Sequence, residues 1–466
     1  MDALHFTWEG FRGFSRPTSF RVPRIALFIG RNNVGKTSVY APLLMLRQTL
    51  DARSPQTALL SRGSMIDVGP FRDYATGHNP KRQVAFTVGL PGQPAVDFHS
   101  GKDTERLGSV EVRFSSTDGH VAFLDRQRIL TVDDKALISR SREAPEDPFT
   151  VASRILPSRV SSGRPTKELT ALRTGMREER PDGFLFQGIG GLLLPASVRR
   201  DRDRWAKVQD WYNAAYDLYD VHQMANRATT SLLMGIAYIG PLRSLPSRTY
   251  RLAAEAPQDV GRTGENAPEM LYRIRDDDQA RPVVEWLHKL GYGTPVFETV
   301  GDEYFQLLIT TEEGERINIA DSGVGLSQVL PLLVQGAAAG LGNMLIAQQP
   351  EIHLNPAQQS IVTDFLVSRA ADGVRVLIET HSEHVLLRLR RRIAEGQIGA
   401  DEVAVFFVDN VRGVTRLQEI PVSQTGKIDR GDWPRGFFED QLKDSLKLAK
   451  AQVQARAERR IQDSEG

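Results

Sequence analysis

The chain has 466 residues, 59 Lys+Arg against 58 Asp+Glu, with 25% charged and 40% hydrophobic side chains. That is the profile of an ordinary globular protein with room for more than one lobe. A formal net charge of +1 excludes a global field for nucleic acid or membrane, so any basic surface is local. The absence of cysteine excludes disulfides, thiolate metal sites and cysteine nucleophiles.

In chain order, residues 4–30 read as a hairpin or small sheet, with Phe6, Trp8, Phe11 and Phe14 as apolar anchors, running into the buried strand 25–29. Gly30-Arg31-Asn32-Asn33-Val34-Gly35-Lys36-Thr37 then fits G-x-x-x-x-G-K-[ST], followed by Ser38 and a helix predicted over 36–50. Strand, glycine loop and helix together imply a nucleoside triphosphate site. Gly30 and Gly35 let the backbone wrap a phosphate, and loop N–H groups face the anion. Lys36 reaches the β/γ-phosphates and the Thr37 hydroxyl ligates Mg²⁺.

Strands are predicted at 84–88, 110–114 and 120–124, the last two joined by the turn Ser116-Thr117-Asp118-Gly119. Between 139 and 202 proline, glycine and arginine accumulate, as in an insertion or lid. Helical periodicity returns over 203–234 through Trp205, Trp211, Tyr212, Tyr216 and Leu218. The second half alternates strands at 344–347, 374–378 and 403–408 with helices at 356–370 and 382–395, which implies a mainly parallel sheet. The expected division is 1–95 for the first part of the nucleotide lobe and 96–235 for the insertion. Residues 236–420 form its second part, and 421–466 a tail.

Two later segments narrow the chemistry. Asp321-Ser322-Gly323-Val324-Gly325-Leu326-Ser327-Gln328 precedes a helix, and small residues with a serine there offer N–H groups to an anion; a plain helix-start turn is the alternative. The strand 344–347 leads into Gln348-Gln349-Pro350-Glu351-Ile352-His353-Leu354. A carboxylate at such a strand end would hold Mg²⁺ beside Thr37, and a second would orient the attacking water. In Glu379-Thr380-His381-Ser382 the histidine is placed to touch the γ-phosphate or to neighbour a helix cap.

The order of these motifs resembles the ABC-type ATPases of the SMC/RecF/OLD group, in particular its bacterial "AAA family" members. The segments Tyr238-Ile239-Gly240-Pro241-Leu242-Arg243, Gly261-Arg262-Thr263-Gly264-Glu265 and Gly325-Leu326-Ser327-Gln328-Val329-Leu330-Pro331 resemble that group as well. Trp433-Pro434-Arg435-Gly436-Phe437-Phe438 resembles a C-terminal domain of unknown function attached to such ATPases. Recognisable stretches cover 4–75 and 236–440.

The resemblance implies an α/β ABC/RecF-type P-loop head with a mainly parallel sheet, a β-rich flank and a partly helical insertion. It also implies ATP and Mg²⁺ as cofactors. Two heads would pair around two ATP molecules, Lys36 and Thr37 of one facing Ser322, Gly323, Gly325, Ser327 and Gln328 of the other. Gln348, Gln349 and His381 become the catalytic positions, with Thr37 and Gln348 at the metal. A separate effector and a bacterial anti-phage setting are implied as partners and context, with DNA a further possible partner. Non-hydrolysing scaffold and RecF-like DNA binder are the alternative roles.

Members of the group it resembles commonly have a carboxylate, in Glu-Gln-Pro-Glu, where this chain has Gln348, which is neutral and can act neither as a base nor as a strong Mg²⁺ ligand. Either the chain has lost the carboxylate, or a glutamate was replaced to trap bound ATP; the intact remaining motifs favour replacement. Glu351, past Pro350, is expected to point elsewhere. Arg388, Arg390, Arg391 and Arg392 form a basic cluster open to two readings, phosphate contact or a solvated face. Asp276-Asp277-Asp278 reads as a polar loop, and 441–460 as a basic amphipathic helix. No leader pattern stands at Met1–Phe6, and the apolar stretches at 329–334 and 337–341 are too short to span a bilayer, so a cytoplasmic protein without a membrane partner is expected.

Overall fold

The computed structural model describes residues 2–52, 54, 57–90, 92–93, 95–98, 104–155, 167–186, 200–429, 431 and 433. The site is organised by a six-stranded sheet in the order Ile236–Ile239, Met344–Gln348, Arg375–Thr380, Ile25–Ile29, Val403–Val411, Val414–Ile420. Its first five strands are parallel and the last pairs antiparallel at the edge. Ile25–Ile29 is buried along its whole length because both faces are covered. Ile25, Leu27 and Ile29 enter one apolar core while Ala26 and Phe28 enter the other. Phe28 stacks on Phe406 of the neighbouring strand, ring centroids 5.3 Å apart.

On one face lie the helices Ala267–Ile274, Arg281–Lys289, Val324–Ala338, Pro356–Ala371 and Glu383–Ala394, whose buried residues share a core with Leu27. On the other lie Ala41–Asp51, the 33-residue helix Arg202–Met234, and a second sheet. That sheet is antiparallel, in the order Thr18–Val22, Leu4–Glu9, Val84–Gly89, Glu105–Ser115, Phe123–Thr131, Ala136–Ser141, Thr150–Ser153, with Ala95–Val96 beside Glu105–Ser115. It runs on across position 95. A smaller antiparallel sheet joins Tyr250–Arg251, Tyr304–Thr310, Thr294–Val300 and Arg316–Asn318. The fold is thus α/β, with a mainly parallel sheet, a β-rich flank and a partly helical segment after it.

Two local expectations are corrected. The helix predicted over 36–50 is a 3₁₀ turn, Lys36–Val39, followed after Tyr40 by Ala41–Asp51. Pro42 has no N–H to give to the preceding turn and occupies the first turn of a new helix instead. The strand predicted at 120–124 begins only at Phe123, because the Asp118 carboxylate accepts the N–H groups of His120 and Val121 at 2.7 and 3.0 Å and holds them in a turn. The residues 434–440 of the C-terminal motif and the predicted helix 441–460 lie outside the described residues. Among the described residues no helix is long and apolar enough to cross a membrane.

Helix packing on the first face is tight enough to set a prediction. A Cβ at Gly336 would sit 2.3 Å from the Phe365 ring. Alanine gains up to about 1 kcal/mol of helix propensity over glycine, but overpacking a filled core costs about 1–3 kcal/mol. Gly336→Ala should therefore lower the thermal midpoint, and an unchanged or higher midpoint would show that the two helices can separate freely.

Candidate nucleotide site

The glycine loop leaves the central strand at its C-terminal end, where parallel sheets place ligands. Gly30 has φ +155° and a Cβ there would meet the Val408 carbonyl oxygen at 2.3 Å; Gly35 has φ +94°. Asn33 adopts φ 61°, tolerable for asparagine in a tight loop. Arg31, Asn32 and Asn33 are exposed at the loop tip, whereas Val34 and Ser38 are buried. The Arg12 guanidinium donates to the Ser38 hydroxyl at 3.3 Å, fixing the turn behind the loop. Lys36 is buried and its Nζ donates to the Gly30 and Arg31 carbonyls at 3.2 and 2.7 Å. Burial pulls its pKa down, opposed by the charges of Glu379 and Glu351.

Thr37 stands in a chain of directed hydrogen bonds. The Tyr238 hydroxyl donates to the Gln348 side-chain oxygen Oε1 at 2.6 Å, and the Gln348 Nε2 donates to Thr37 Oγ1 at 3.2 Å. Thr37 Oγ1 in turn donates to Glu379 Oε2 at 3.1 Å, which also accepts the Tyr40 hydroxyl at 2.5 Å. Gln348 therefore reaches Thr37 as expected, but with its NH₂, a group that cannot ligate a cation. Burial, reinforced by Glu379, raises the Tyr40 pKa, and burial pushes Tyr238 up to about 12, so both hydroxyls stay donors.

Gln349 takes a left-handed backbone at φ 47°, its N–H bonded to the Glu379 carbonyl at 2.7 Å. His381 hydrogen-bonds the Gly30 backbone, and its pKa is lowered by burial and then by Lys36, which keeps the imidazole neutral near the loop. Glu351 does not point away: its Oε1 accepts Thr380 Oγ1 at 2.6 Å and the His381 N–H at 3.1 Å, and burial raises its pKa. Pro350 turns the chain back toward the neighbouring strand end, which spacing alone did not reveal. Arg243 is buried and joins the two segments, donating to the backbone carbonyls of Gln328 at 2.8 Å and Gln348 at 3.4 Å. Burial brings its pKa down to about 10.

In the second segment, Gly323 caps Val324–Ala338 without a side-chain bond, and Ser322 Oγ turns inward to the Ile319 carbonyl at 2.7 Å. A Cβ at Gly325 would lie 2.5 Å from the Tyr292 hydroxyl, so any larger residue there would displace that side chain. Ser327 and Gln328 are buried, with Ser327 Oγ bonded to the Val324 carbonyl at 2.7 Å. Val324 is 46% exposed, so the surface this segment offers to another molecule lies at residues 321–324.

The arginine cluster is already engaged. Arg388 and Arg392 both chelate Asp364 at 2.6–2.9 Å, Arg391 pairs with Glu395, and Arg390 donates to the Gly426 carbonyl and lies over Trp433. The aspartate run leads into a short 3₁₀ turn that begins at Asp278; Asp276 pairs with Arg275 and Asp278 with Arg281. Among the described residues no group of three or more His, Asp or Glu is placed to hold a metal alone. A cation at Thr37 would thus need phosphate oxygens as well, the usual habit of Mg²⁺.

Sequence spacing missed Glu379 as a participant, together with Tyr40, Tyr238 and Arg243. The available signal was a carboxylate at the C-terminal end of a strand destined for a parallel sheet. Comparison with known proteins adds a limited frame. Residues 398–448 match a family described as a protein of unknown function, DUF3696. No curated protein matches the chain. Solved structures similar to it include an Smc head bound to the C-winged helix domain of ScpA, at 11% identity, 90% and 98% coverage of this and that chain, and TM-score 0.41. An SMC head from Thermotoga maritima gives 10%, 90% and 99%, with TM-score 0.34. An Smc head from Pyrococcus furiosus with an extended coiled coil, bound to the C-terminal domain of ScpA, gives 12%, 96% and 98%, with TM-score 0.38. These are distant likenesses.

Proposed function

We propose that the chain is an ATP-binding and slowly ATP-hydrolysing head of the ABC/RecF type that works as a dimeric switch. The observation that carries this reading is the loop Gly30–Thr37 at the end of the central parallel strand, with Lys36 folded over its carbonyls and Thr37 set between Gln348 and Glu379. Lys36 and the loop N–H groups bind the phosphates, Thr37 lies at the metal, and neutral His381 contacts the loop where the terminal phosphate would rest. When bound, Mg²⁺ would neutralise charge on the phosphate oxygens. The exposed edge at residues 321–324, where Arg248 neutralises Asp321, is the part of this segment that would meet a phosphate held by a second copy. Control of a separate effector or of DNA, in a bacterial anti-phage setting, follows from the resemblance of the motifs alone. Gln348 supports the non-hydrolysing scaffold as the second reading.

Light scattering on the purified chain tests the switch. ATP with Mg²⁺ should convert a 51.9 kDa species to one of twice that mass, and Lys36→Ala should leave the mass unchanged. ATP-independent mass in both proteins would remove the dimeric switch.

A further inference from the structure

Resting on the ATP-binding reading above, we infer that Glu379 is the carboxylate of the Mg²⁺ site, taking over from the strand beside it the task the sequence pattern gives to residue 348. Three observations carry it. In the parallel register Gln348 lies opposite Glu379, and Glu379 opposite Phe28 of the strand that feeds the glycine loop. The two side chains therefore project from the same level of the sheet, one strand spacing of about 4.8 Å apart, with Glu379 on the side nearer the loop. Both reach the same atom: Thr37 Oγ1 is 3.1 Å from Glu379 Oε2 and 3.2 Å from Gln348 Nε2.

The chemistry of the two groups then decides between them. Tyr238 occupies the Gln348 carbonyl and leaves an amide N–H₂ toward Thr37, which repels a cation. Glu379 is 5% exposed, and its hydrogen-bond partners among the described residues are the hydroxyls of Thr37 and Tyr40. A carboxylate withdrawn from water and met by hydroxyls still has oxygen lone pairs to offer, and a hard cation prefers such ligands. Thr37 can turn its hydroxyl proton to Glu379 while presenting a lone pair to the metal, so hydroxyl and carboxylate serve one ion together. The neutral residue at 348 thus leaves a metal carboxylate in place.

The test titrates a fluorescent ATP analogue into the full-length chain in EDTA and again in MgCl₂, with Mn²⁺ paramagnetic resonance in the presence of ATP as a direct view of the cation. Glu379→Gln preserves the acceptor for Tyr40 and should retain binding in EDTA. It should lose about tenfold or more of the enhancement given by Mg²⁺, and with it the bound Mn²⁺ signal. Tyr40→Phe should keep the enhancement. Full enhancement in Glu379→Gln would overturn the inference, as would equal loss in Tyr40→Phe, which would make Glu379 a prop for that tyrosine. Loss confined to Gln348→Ala would return the metal to residue 348. A parent chain that binds the analogue in neither buffer would instead refute the ATP reading itself.

Discussion

Phosphate release from ATP by the Gln348→Glu variant should exceed that of the parent chain by about 10²-fold or more, and adding Lys36→Ala should abolish the gain. Residue 348 ends its strand beside Thr37 with its carbonyl fixed by Tyr238. An acid at that position keeps the Tyr238 bond and supplies the base that the amide cannot be. The variant also carries a cost that serves as a second readout. The introduced carboxylate would face Glu379 across Thr37, two like charges in a half-buried site, so the metal-free variant should melt below the parent. Mg²⁺ with ATP should narrow the gap. Equal release rates in variant and parent would mean that residue 348 is not what limits turnover, and would favour the ATP-stabilised scaffold.

Acidification should weaken the protein through His222. This residue is fully buried on the long helix Arg202–Met234, its Nδ1 bonded to the Leu218 carbonyl at 2.7 Å and its Nε2 without a partner. Burial, with the nearby Arg140 charge, lowers its pKa to about 3. The folded state therefore takes up a proton less readily than the unfolded chain, whose histidine titrates near 6.5. The sign follows from linkage: the stability contribution is whole above pH 6.5 and falls as pH drops from there toward 3. The slope approaches about 1.4 kcal/mol per pH unit and the total is on the order of 5 kcal/mol. Urea midpoints measured from pH 7.5 to 4.5 should fall steeply for the parent and much less for His222→Phe. Parallel slopes would show that other groups carry the acid sensitivity.

The sheet was legible because strands buried on both faces read as unbroken apolar runs, and Ile25–Ile29, Met344–Gln348 and Val403–Val411 each begin with one. The glycine loop was legible because its chemistry constrains four positions in eight residues. Strand order was not legible. Nothing in the spacing of Glu379 says that Arg375–Thr380 lies between the Gln348 strand and Ile25–Ile29, and that adjacency alone brings its carboxylate to Thr37. The partner of the arginines at 388 and 392 was hidden for the same reason, since their counter-charge, Asp364, comes from another helix. Pro42 carried a local signal for the break after the loop, but the apolar periodicity around it reads as one helix over 36–50 and hid that signal.

The place of Ile25–Ile29 in the sheet has a consequence for biosynthesis. Its two neighbours, Arg375–Thr380 and Val403–Val411, are translated some 350 residues or more after it. While the ribosome makes the intervening chain, the loop strand has no partners on either edge, and contacts of such range are slow to close. The phosphate cradle can then take shape only once Val403–Val411 has left the ribosome. Prematurely terminated products lacking those strands would carry the whole motif and still be unable to compete for nucleotide.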